Sequence, residues 1–385
     1  MHDSNYHISL FIFGFIYYLV TPLFVVSSRI WEDYPGVQIL YKYYKDEYIL
    51  GYLVIVFLLG FFYLLGSYIP IISNKRNWNT ILTNKTVYSS KGLFAASFPV
   101  LLFSQFHIFT NRGSLFQGYQ IEMDNPFVGA IATTAIFYLF LFIYNKKGNY
   151  SRNINTILVI ILIELSFVML GVGTRMYFLV ILVTIILYMH DNNVLPTKKI
   201  ILLGGTGIFL LLLVGIWRLG TESVSLENII YIGIAEPTFT WISAISMYDL
   251  NKLPMFSIPY NFASSFINFL PSIIFPDKAK MVSDISLNYD SPLGAISVFA
   301  SVISNFGIIG SFLAFFVLGF LISYIRLHWK SVFGQTYYYC ICGVIPFQLF
   351  RDPFTVVNKV FFSNLLLVPV LFIFLHRMLK GALSK

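Results

Sequence analysis

Three arginines stand at the edges of long apolar runs, where an isolated charge needs a physical reason. Arg175 follows "GVGT" between "ILVIILIELSFVML" and "MYFLVILVTIILYM", Arg218 lies in "GIWRLGTES", and Arg351 lies in "PFQLFRDPF". Each guanidinium group carries five donors in a planar fork, which suits a phosphate or pyrophosphate better than lysine would. The three arginines therefore predict an anion clamp at one level of the fold. The alternative is that each arginine only reaches from a helix end toward water.

Acidic residues after Arg218 predict a general base for a hydroxyl nucleophile. Glu222 and Glu236 both follow Arg218, and Glu236 interrupts an apolar run, where burial would make a carboxylate a stronger base. The alternative role for either residue is a solvated or helix-capping carboxylate. Both are candidate catalytic residues beside the three arginines.

A second set of polar residues follows an apolar stretch in "FLPSIIFPDKAKM" and continues into the next predicted spans. Asn305 lies in "SVFASVISNFGIIGSF", where Gly307 and Gly310 first indicate close packing between helices. Asp352 adjoins Arg351 and also offers it a structural partner. The candidate substrate-binding residues are Asp277, Lys278, Lys280, Asn305 and Asp352.

The composition identifies a membrane protein rather than a soluble domain. Of 385 residues, 57% are hydrophobic and only 11% are charged, whereas soluble domains have about 25% charged residues. A charge in a bilayer costs about 2.5 to 3.5 kcal/mol on insertion scales, so the charges concentrate in connections. The net charge of +8 therefore reflects topology and predicts no nucleic-acid partner. The prediction is a single integral-membrane domain over residues 1–385.

Apolar stretches divide the chain into about ten helices that are long enough to cross a bilayer core of about 30 Å. They are predicted at Ile8 to Val26, Ile49 to Ile72, Gly92 to Thr110, Pro126 to Tyr144, Ile154 to Val172, Arg175 to Met189, Lys199 to Trp217, Leu293 to Tyr324, Phe333 to Leu349 and Val356 to Leu375. Lysine and arginine in short loops mark the cytoplasmic side. That bias places both termini inside and the three arginines of the clamp outside.

A long outer segment, residues 218–292, holds more acidic than basic residues and two apolar stretches. These are "ENIIYIGIAEPTFTWISAISMYDL", interrupted by Glu236 and Pro237, and "MFSIPYNFASSFINFLPSIIF", interrupted by Pro259 and Pro271. Such interruptions favour interfacial or re-entrant helices, since broken backbone exposed to lipid would lack partners. The alternative is an extra hairpin, which would give about twelve spans.

Metal and cofactor motifs do not occur in the sequence. It has no phosphate-binding loop of the Walker type, no HExxH, no cysteine cluster and no DxD pair. The two cysteines, Cys340 and Cys342, lie within an apolar run, which favours buried thiols over a disulfide or a metal pair. We therefore expect no metal site and no cofactor.

Several motifs together resemble the bacterial oligosaccharide repeat-unit polymerases of the O-antigen polymerase (Wzy) type. The resemblance covers roughly residues 150–355 and rests on "GTR" at a short outer turn, an arginine that opens the outer segment, "FLPSIIFPDKAK" before "SVFASVISNFGIIGSF", and "LFRDPF". It implies an all-α polytopic membrane protein, a GT-C-like bundle of about 10 to 12 transmembrane helices. It assigns Arg175, Arg218 and Arg351 to the pyrophosphate or to the glycan. Phe299 and Ala300 stand where this family often has an acidic residue.

The activity that the resemblance implies is glycosyl transfer at the periplasmic face of the bacterial inner membrane. A growing glycan on undecaprenyl pyrophosphate would pass to a sugar hydroxyl of an incoming lipid-linked unit. The implied partners are lipid-linked oligosaccharide as donor and acceptor, membrane lipids, a chain-length regulator and a flippase. One alternative is an O-antigen ligase, which would be expected to use a histidine of the outer segment, and residues 218–292 contain none. Another is a flippase or transporter, which should show repeated halves, and none is evident.

Orientation is the first testable prediction. Cysteines introduced as Ser223→Cys and Ser283→Cys should react with an impermeant thiol reagent added outside cells whose outer barrier is open. The positive-inside bias gives this expectation, because both positions lie in the acidic outer segment. Protection of both cysteines until the inner membrane is lysed would reverse the orientation.

Overall fold

Apolar helices form the whole fold in the part of the chain that the structure describes. This computed structural model describes residues 5–34, 36–44, 46–73, 90–116, 125–148, 151–219, 225–250, 253–269, 277, 290 and 295–383. The helices are α1 Tyr6–Ser28, α2 Val37–Tyr43, α3 Asp46–Ser73, α4 Ser90–Thr110, α5 Asn125–Gly148, α6 Arg152–Val172, α7 Arg175–Asp191, α8 Thr197–Leu219, α9 Leu226–Leu250, α10 Tyr260–Ser265, α11 Val298–His328, α12 Val332–Val344, α13 Gln348–Arg351, α14 Phe354–Asn358 and α15 Val368–Leu383. A π-helical segment, Lys359–Leu367, joins α14 to α15.

The predicted all-α, multi-pass class is confirmed by helix length and composition. Among the described residues, nine helices are long and apolar enough to cross a membrane. Large apolar side chains such as Phe61, Phe106 and Leu202 are more than half exposed on the outside of the bundle. A water-facing surface would not carry so many, so this surface suits lipid. Two predicted spans are shorter than the membrane-long helices, because α7 has 17 residues and α12 has 13.

The predicted interruption at Glu236 and Pro237 is wrong, since α9 continues through both residues for 25 residues in all. Proline has no N–H, so Pro237 leaves the carbonyl of Gly233 without its usual helical donor. The Tyr17 hydroxyl of α1 donates a hydrogen bond to that Gly233 oxygen. A side chain from another helix thus satisfies the group that proline frees, and the helix stays intact.

Helix α9 begins and ends beside the segment around α2. Near its start, the Tyr34 hydroxyl donates to Asn228 Oδ1 at 3.1 Å. Near its end, Ser246 Oγ accepts from the Asp290 N–H at 2.9 Å, and the Asp290 carboxylate accepts from the Tyr43 hydroxyl. Residues 34–43 therefore connect to both ends of one long helix. Helix α9 is also one of the nine described helices that are long and apolar enough to cross a membrane, which agrees with the alternative of an additional span; an interfacial or re-entrant α9 stays a prediction.

Helix α11 is broken at Gly307, which has φ 72° and ψ 178° inside an otherwise helical run. The helix also begins later than the span predicted from Leu293, because its first residue is Val298. Residues 254–257 fill the break: Ile308 N–H donates to Pro254 O at 3.0 Å, and Ser257 N–H donates to Phe306 O at 3.1 Å. These bonds replace the helical ones that the break removes.

Close helix packing was predicted at Gly307 and Gly310, but the structure places it at Gly66 and Gly319. A Cβ on Gly66 of α3 would lie 2.0 Å from Phe316 O, and one on Gly319 of α11 would lie 2.2 Å from Tyr63 O. Neither position has room for a side chain, so α3 and α11 pack backbone to backbone there. Gly307 has a different role, because its positive φ and its lack of a Cβ together allow residues 254–257 to enter the break.

Alanine at position 307 tests this break. Gly307→Ala should lower stability by about 1 to 3 kcal/mol, because its Cβ would lie 2.6 Å from Phe256 Cα and the positive φ adds strain. Gly205→Ala is the matched control, since nothing lies within 4 Å of its Cβ. The measurement is the thermal midpoint of the purified protein in detergent. Equal midpoints for both variants would contradict the described break.

Candidate functional site

A tight turn between α6 and α7 places Arg175 at the first residue of a helix. Gly173 ends α6 with φ 86°, and its N–H donates to Leu170 O at 3.0 Å. The Thr174 N–H donates to Met169 O at 2.9 Å. Glycine adopts this left-handed conformation without strain, which explains why two helices turn within two residues. The short turn predicted here is therefore present.

The Glu236 carboxylate bridges Arg175 and Arg351 at the centre of the site. Arg351 Nε donates to Glu236 Oε2 at 2.9 Å, and Arg175 Nη2 donates to Glu236 Oε1 at 3.4 Å. Arg351 Nη1 also pairs with Asp352 Oδ1 at 2.7 Å. Glu236 and, secondarily, Asp352 raise the pKa of Arg351 further above its usual range. The structure thus brings together four predicted site residues from α7, α9 and the end of α13.

Two arginines of the predicted clamp are paired with carboxylates in the described part of the chain. There, two guanidinium groups face two carboxylates. The side chains are largely removed from water, with exposed fractions of 17% for Arg175, 22% for Glu236, 25% for Arg351 and 7% for Asp352. An unpaired charge at such a place would be costly, which explains why each has a partner.

Arg175 keeps most of its donors available for a ligand. Within the described residues, its only acceptor is Glu236, and its Nε and Nη1 groups donate to none. The α7 backbone adds donors at the same place, because the first N–H groups of a helix have no helical acceptor and carry partial positive charge. An anion that enters here would meet the guanidinium and the helix start together.

Gly215 of α8 makes room for the Arg175 side chain, and the sequence analysis missed it. A Cβ on Gly215 would lie 3.0 Å from Arg175 Nη1 and 2.5 Å from Ile232 Cγ2. The available signal was a glycine inside an apolar helix, where it costs about 1 kcal/mol relative to alanine. Such a glycine needs a packing reason, and the close approach of Ile232 of α9, with the Arg175 guanidinium next to it, supplies one.

Residues 295–297 hold Arg351 against α9. The Ile296 N–H donates to Arg351 O at 3.1 Å, and the Ser297 N–H donates to Ser243 Oγ at 2.9 Å. One extended stretch thus bonds to the backbone of Arg351 and to a side chain of α9. This fixes the Arg351 backbone relative to the helix that carries Glu236.

A polar cavity of about 240 Å³ lies beside the charged cluster, between the start of α7, α8, α9 and residues 351–352. A larger apolar groove of about 530 Å³ lies between α1, α7, α8 and α9. The two share four lining residues, so the charged cavity and the apolar groove adjoin each other at these side chains. The shared residues are Arg175, Met176, Ile232 and Glu236.

Of the other predicted site residues, Asn305 and Asp277 are described, and neither lines this cavity. Asn305 is buried, and its amide is committed to the fold: Oδ1 accepts from Phe262 N–H at 2.7 Å and Nδ2 donates to Ser301 O at 2.8 Å. Asp277 is exposed. Four others fall outside the described residues, namely the Arg218 side chain, Glu222, Lys278 and Lys280.

Possible metal ligands and the two cysteines were also considered in the sequence analysis. In the segments that the structure describes, no group of three histidine, cysteine or acidic side chains could hold a metal ion. Cys340 and Cys342 are both buried free thiols in α12. Neither cysteine lines the cavity beside Glu236.

Removing the central charge tests the cluster. Glu236→Gln keeps the side-chain shape but leaves both guanidinium groups without their shared anion, so the free energy of unfolding should fall by about 1 to 3 kcal/mol. Glu227→Gln, on the exposed first turn of the same helix, should change it by less than about 1 kcal/mol. Thermal unfolding of both purified variants makes the comparison. Equal midpoints would show that the bridge does not stabilise the fold.

Comparison with known proteins gives no family for this chain. No family model, no curated protein and no solved structure matches it. The resemblance to repeat-unit polymerases stays a prediction from the residues, and the chemistry of the site carries the functional argument.

Proposed function

We propose that the protein is an integral-membrane glycosyltransferase that polymerises undecaprenyl-pyrophosphate-linked oligosaccharide repeat units. The reaction would take place at the periplasmic face of the bacterial inner membrane, in a GT-C-like bundle. One observation carries the proposal: a charged cavity with two arginines adjoins an apolar groove along the bundle, and the two share four lining residues. A lipid-linked pyrophosphate has the same two parts, a strongly anionic head on an isoprenoid chain.

The charged cavity suits the pyrophosphate head. Arg175 offers free donors in a fork, and Glu236 fixes the position of that fork through its 3.4 Å contact. Arg351 lies on the other side of the same carboxylate. Without substrate, Glu236 and Asp352 balance the two cations. When an anion binds, the free donors of Arg175 and the start of α7 supply the favourable interaction.

The apolar groove suits the isoprenoid chain next to the head. Its walls include Phe13 and Leu211, and it reaches Tyr17 beside the Gly233 carbonyl. An isoprenoid chain would enter this groove from the apolar bilayer, so close packing against the groove walls would hold it there. A free sugar phosphate has no such chain, so the groove favours a lipid-linked substrate over a soluble one.

The reaction follows from charge at the leaving group. A sugar hydroxyl of the acceptor attacks the anomeric carbon of the donor glycan, and the bond from that carbon to the pyrophosphate oxygen breaks. The lipid pyrophosphate leaves with the electron pair, and the two arginines stabilise its developing negative charge. Glu236 lies beside both arginines and lines the cavity, so this carboxylate is the candidate base for the hydroxyl proton.

Arginine variants test the proposal in a purified system with a synthetic lipid-linked repeat unit. Arg175→Ala should slow polymerisation about a hundredfold, equivalent to about 3 kcal/mol in the transition state. Arg175→Lys should recover part of the rate, since a point charge lacks the fork. Arg112→Ala should match the wild type, because Arg112 packs on Phe109 outside the cavity. The readouts are ladder formation and release of lipid pyrophosphate.

A glycine variant in the same assay tests whether the rate depends on the position of Arg175 when all charges are retained. Gly215→Ala keeps all four charges, but its Cβ would press on Ile232 of α9 and on the Arg175 guanidinium, so the rate should fall while the protein stays folded. Gly204→Ala is the control on the same helix, because its Cβ would make an ordinary 3.6 Å contact with Ile186.

Normal rate and chain length from Arg175→Ala would show that the arginine only anchors a helix end, and the mechanism would be wrong.

A further inference from the structure

A second polar cavity, of about 130 Å³, lies at the opposite end of α7 from Arg175. Asp191, the last residue of α7, lines it. The sixteen steps of helix from Arg175 to Asp191 span about 24 Å, so the two cavities lie at opposite ends of the bundle. By the predicted topology this end is the cytoplasmic one. Ends of α1, α5, α7 and α11 form the cavity together with the start of α12.

Three cations line this cavity, namely Lys147, Arg326 and Lys330. The Arg326 guanidinium carbon lies over the Tyr338 ring, 5.4 Å from its centre. In the described part of the chain, no group accepts a hydrogen bond from that guanidinium. Stacking on a ring uses the face of the guanidinium plane and leaves the donors at its edge available. Arg326 therefore presents a free fork to the cavity.

Asp191 is the one carboxylate among the described residues that line the cavity, and its oxygens accept hydrogen bonds from two tyrosines. Its Oδ1 accepts from the Tyr6 hydroxyl at 3.1 Å, and its Oδ2 accepts from the Tyr339 hydroxyl. Lys147 Nζ instead donates to the amide oxygen of Asn192 at 3.1 Å. Within the described residues Asp191 forms no ion pair. Among the described residues, three cations and one anion line this cavity, whereas the described charges around Glu236 are two of each sign.

We propose that this cavity binds a phosphate group and thereby forms a second anion site, separate from the one beside Arg175. A phosphate ester offers two oxygens that match the edge of the Arg326 fork, and Lys147 and Lys330 add charge. Trp329 and Tyr338 also line the cavity, and aromatic residues of this kind are enriched where a helix bundle meets lipid headgroups. Basic pockets between membrane helices on the cytoplasmic side bind anionic headgroups elsewhere. The phosphate belongs either to a phospholipid headgroup or to free phosphate.

Two measurements on the full-length purified protein distinguish these sources. Native mass spectrometry after exposure to an equimolar mixture of phosphatidylglycerol and phosphatidylcholine reports preference for an anionic headgroup. The thermal midpoint with and without inorganic phosphate reports binding of the free ion. The variants are Arg326→Gln and Lys147→Gln, and two variants are used in case one fails to fold. The controls are Lys146→Gln and Arg152→Gln, because these exposed residues do not line the cavity.

A headgroup site predicts that the wild type retains phosphatidylglycerol in preference to phosphatidylcholine. In either cavity variant, this preference should be about tenfold lower. A free-phosphate site predicts a higher midpoint with phosphate in the wild type and no such shift in the cavity variants. In both cases the controls should behave as the wild type. If Arg326→Gln and Lys147→Gln bind lipid and phosphate as the wild type does, the proposal is overturned. Neither measurement depends on polymerase activity.

Discussion

The bridge from Glu236 to Arg175 and Arg351 is the interaction on which the rest of the site depends. It joins the start of α7, the middle of α9 and the end of α13 through one carboxylate. Charges this far from water need partners, because an isolated one costs several kcal/mol. The three elements are therefore held in one arrangement, and the donors left free on Arg175 point to the ligand that this arrangement can accept.

Three local features of the backbone and packing help to position the residues of this bridge. Gly173 turns the chain so that Arg175 begins a helix, Gly215 leaves space for its guanidinium, and Tyr17 donates to the carbonyl that Pro237 frees. Proline next to Glu236 would otherwise leave an unsatisfied group in an apolar surrounding. Glycine and proline, which fit helices poorly, thus lie where the site needs a turn or space, or where another side chain donates the missing hydrogen bond.

The helical membrane class and the turn before Arg175 could be predicted from the sequence, because hydropathy and glycine act locally. The pairing of Glu236 with Arg351 could not, since these residues are 115 positions apart and no local pattern connects them. The break at Gly307 was also missed. A glycine in an apolar run predicts close packing as readily as a positive φ, and only the position of residues 254–257 decides between them.

The most direct test of the central claim is a cryo-EM structure of the protein with a bound polyprenyl pyrophosphate. The account predicts density for the pyrophosphate in contact with Arg175 and the first turn of α7, beside Arg351, with the isoprenoid chain in the groove between α1, α8 and α9. Density for the head away from Arg175 and Glu236, with the four charges still paired among themselves, would contradict it.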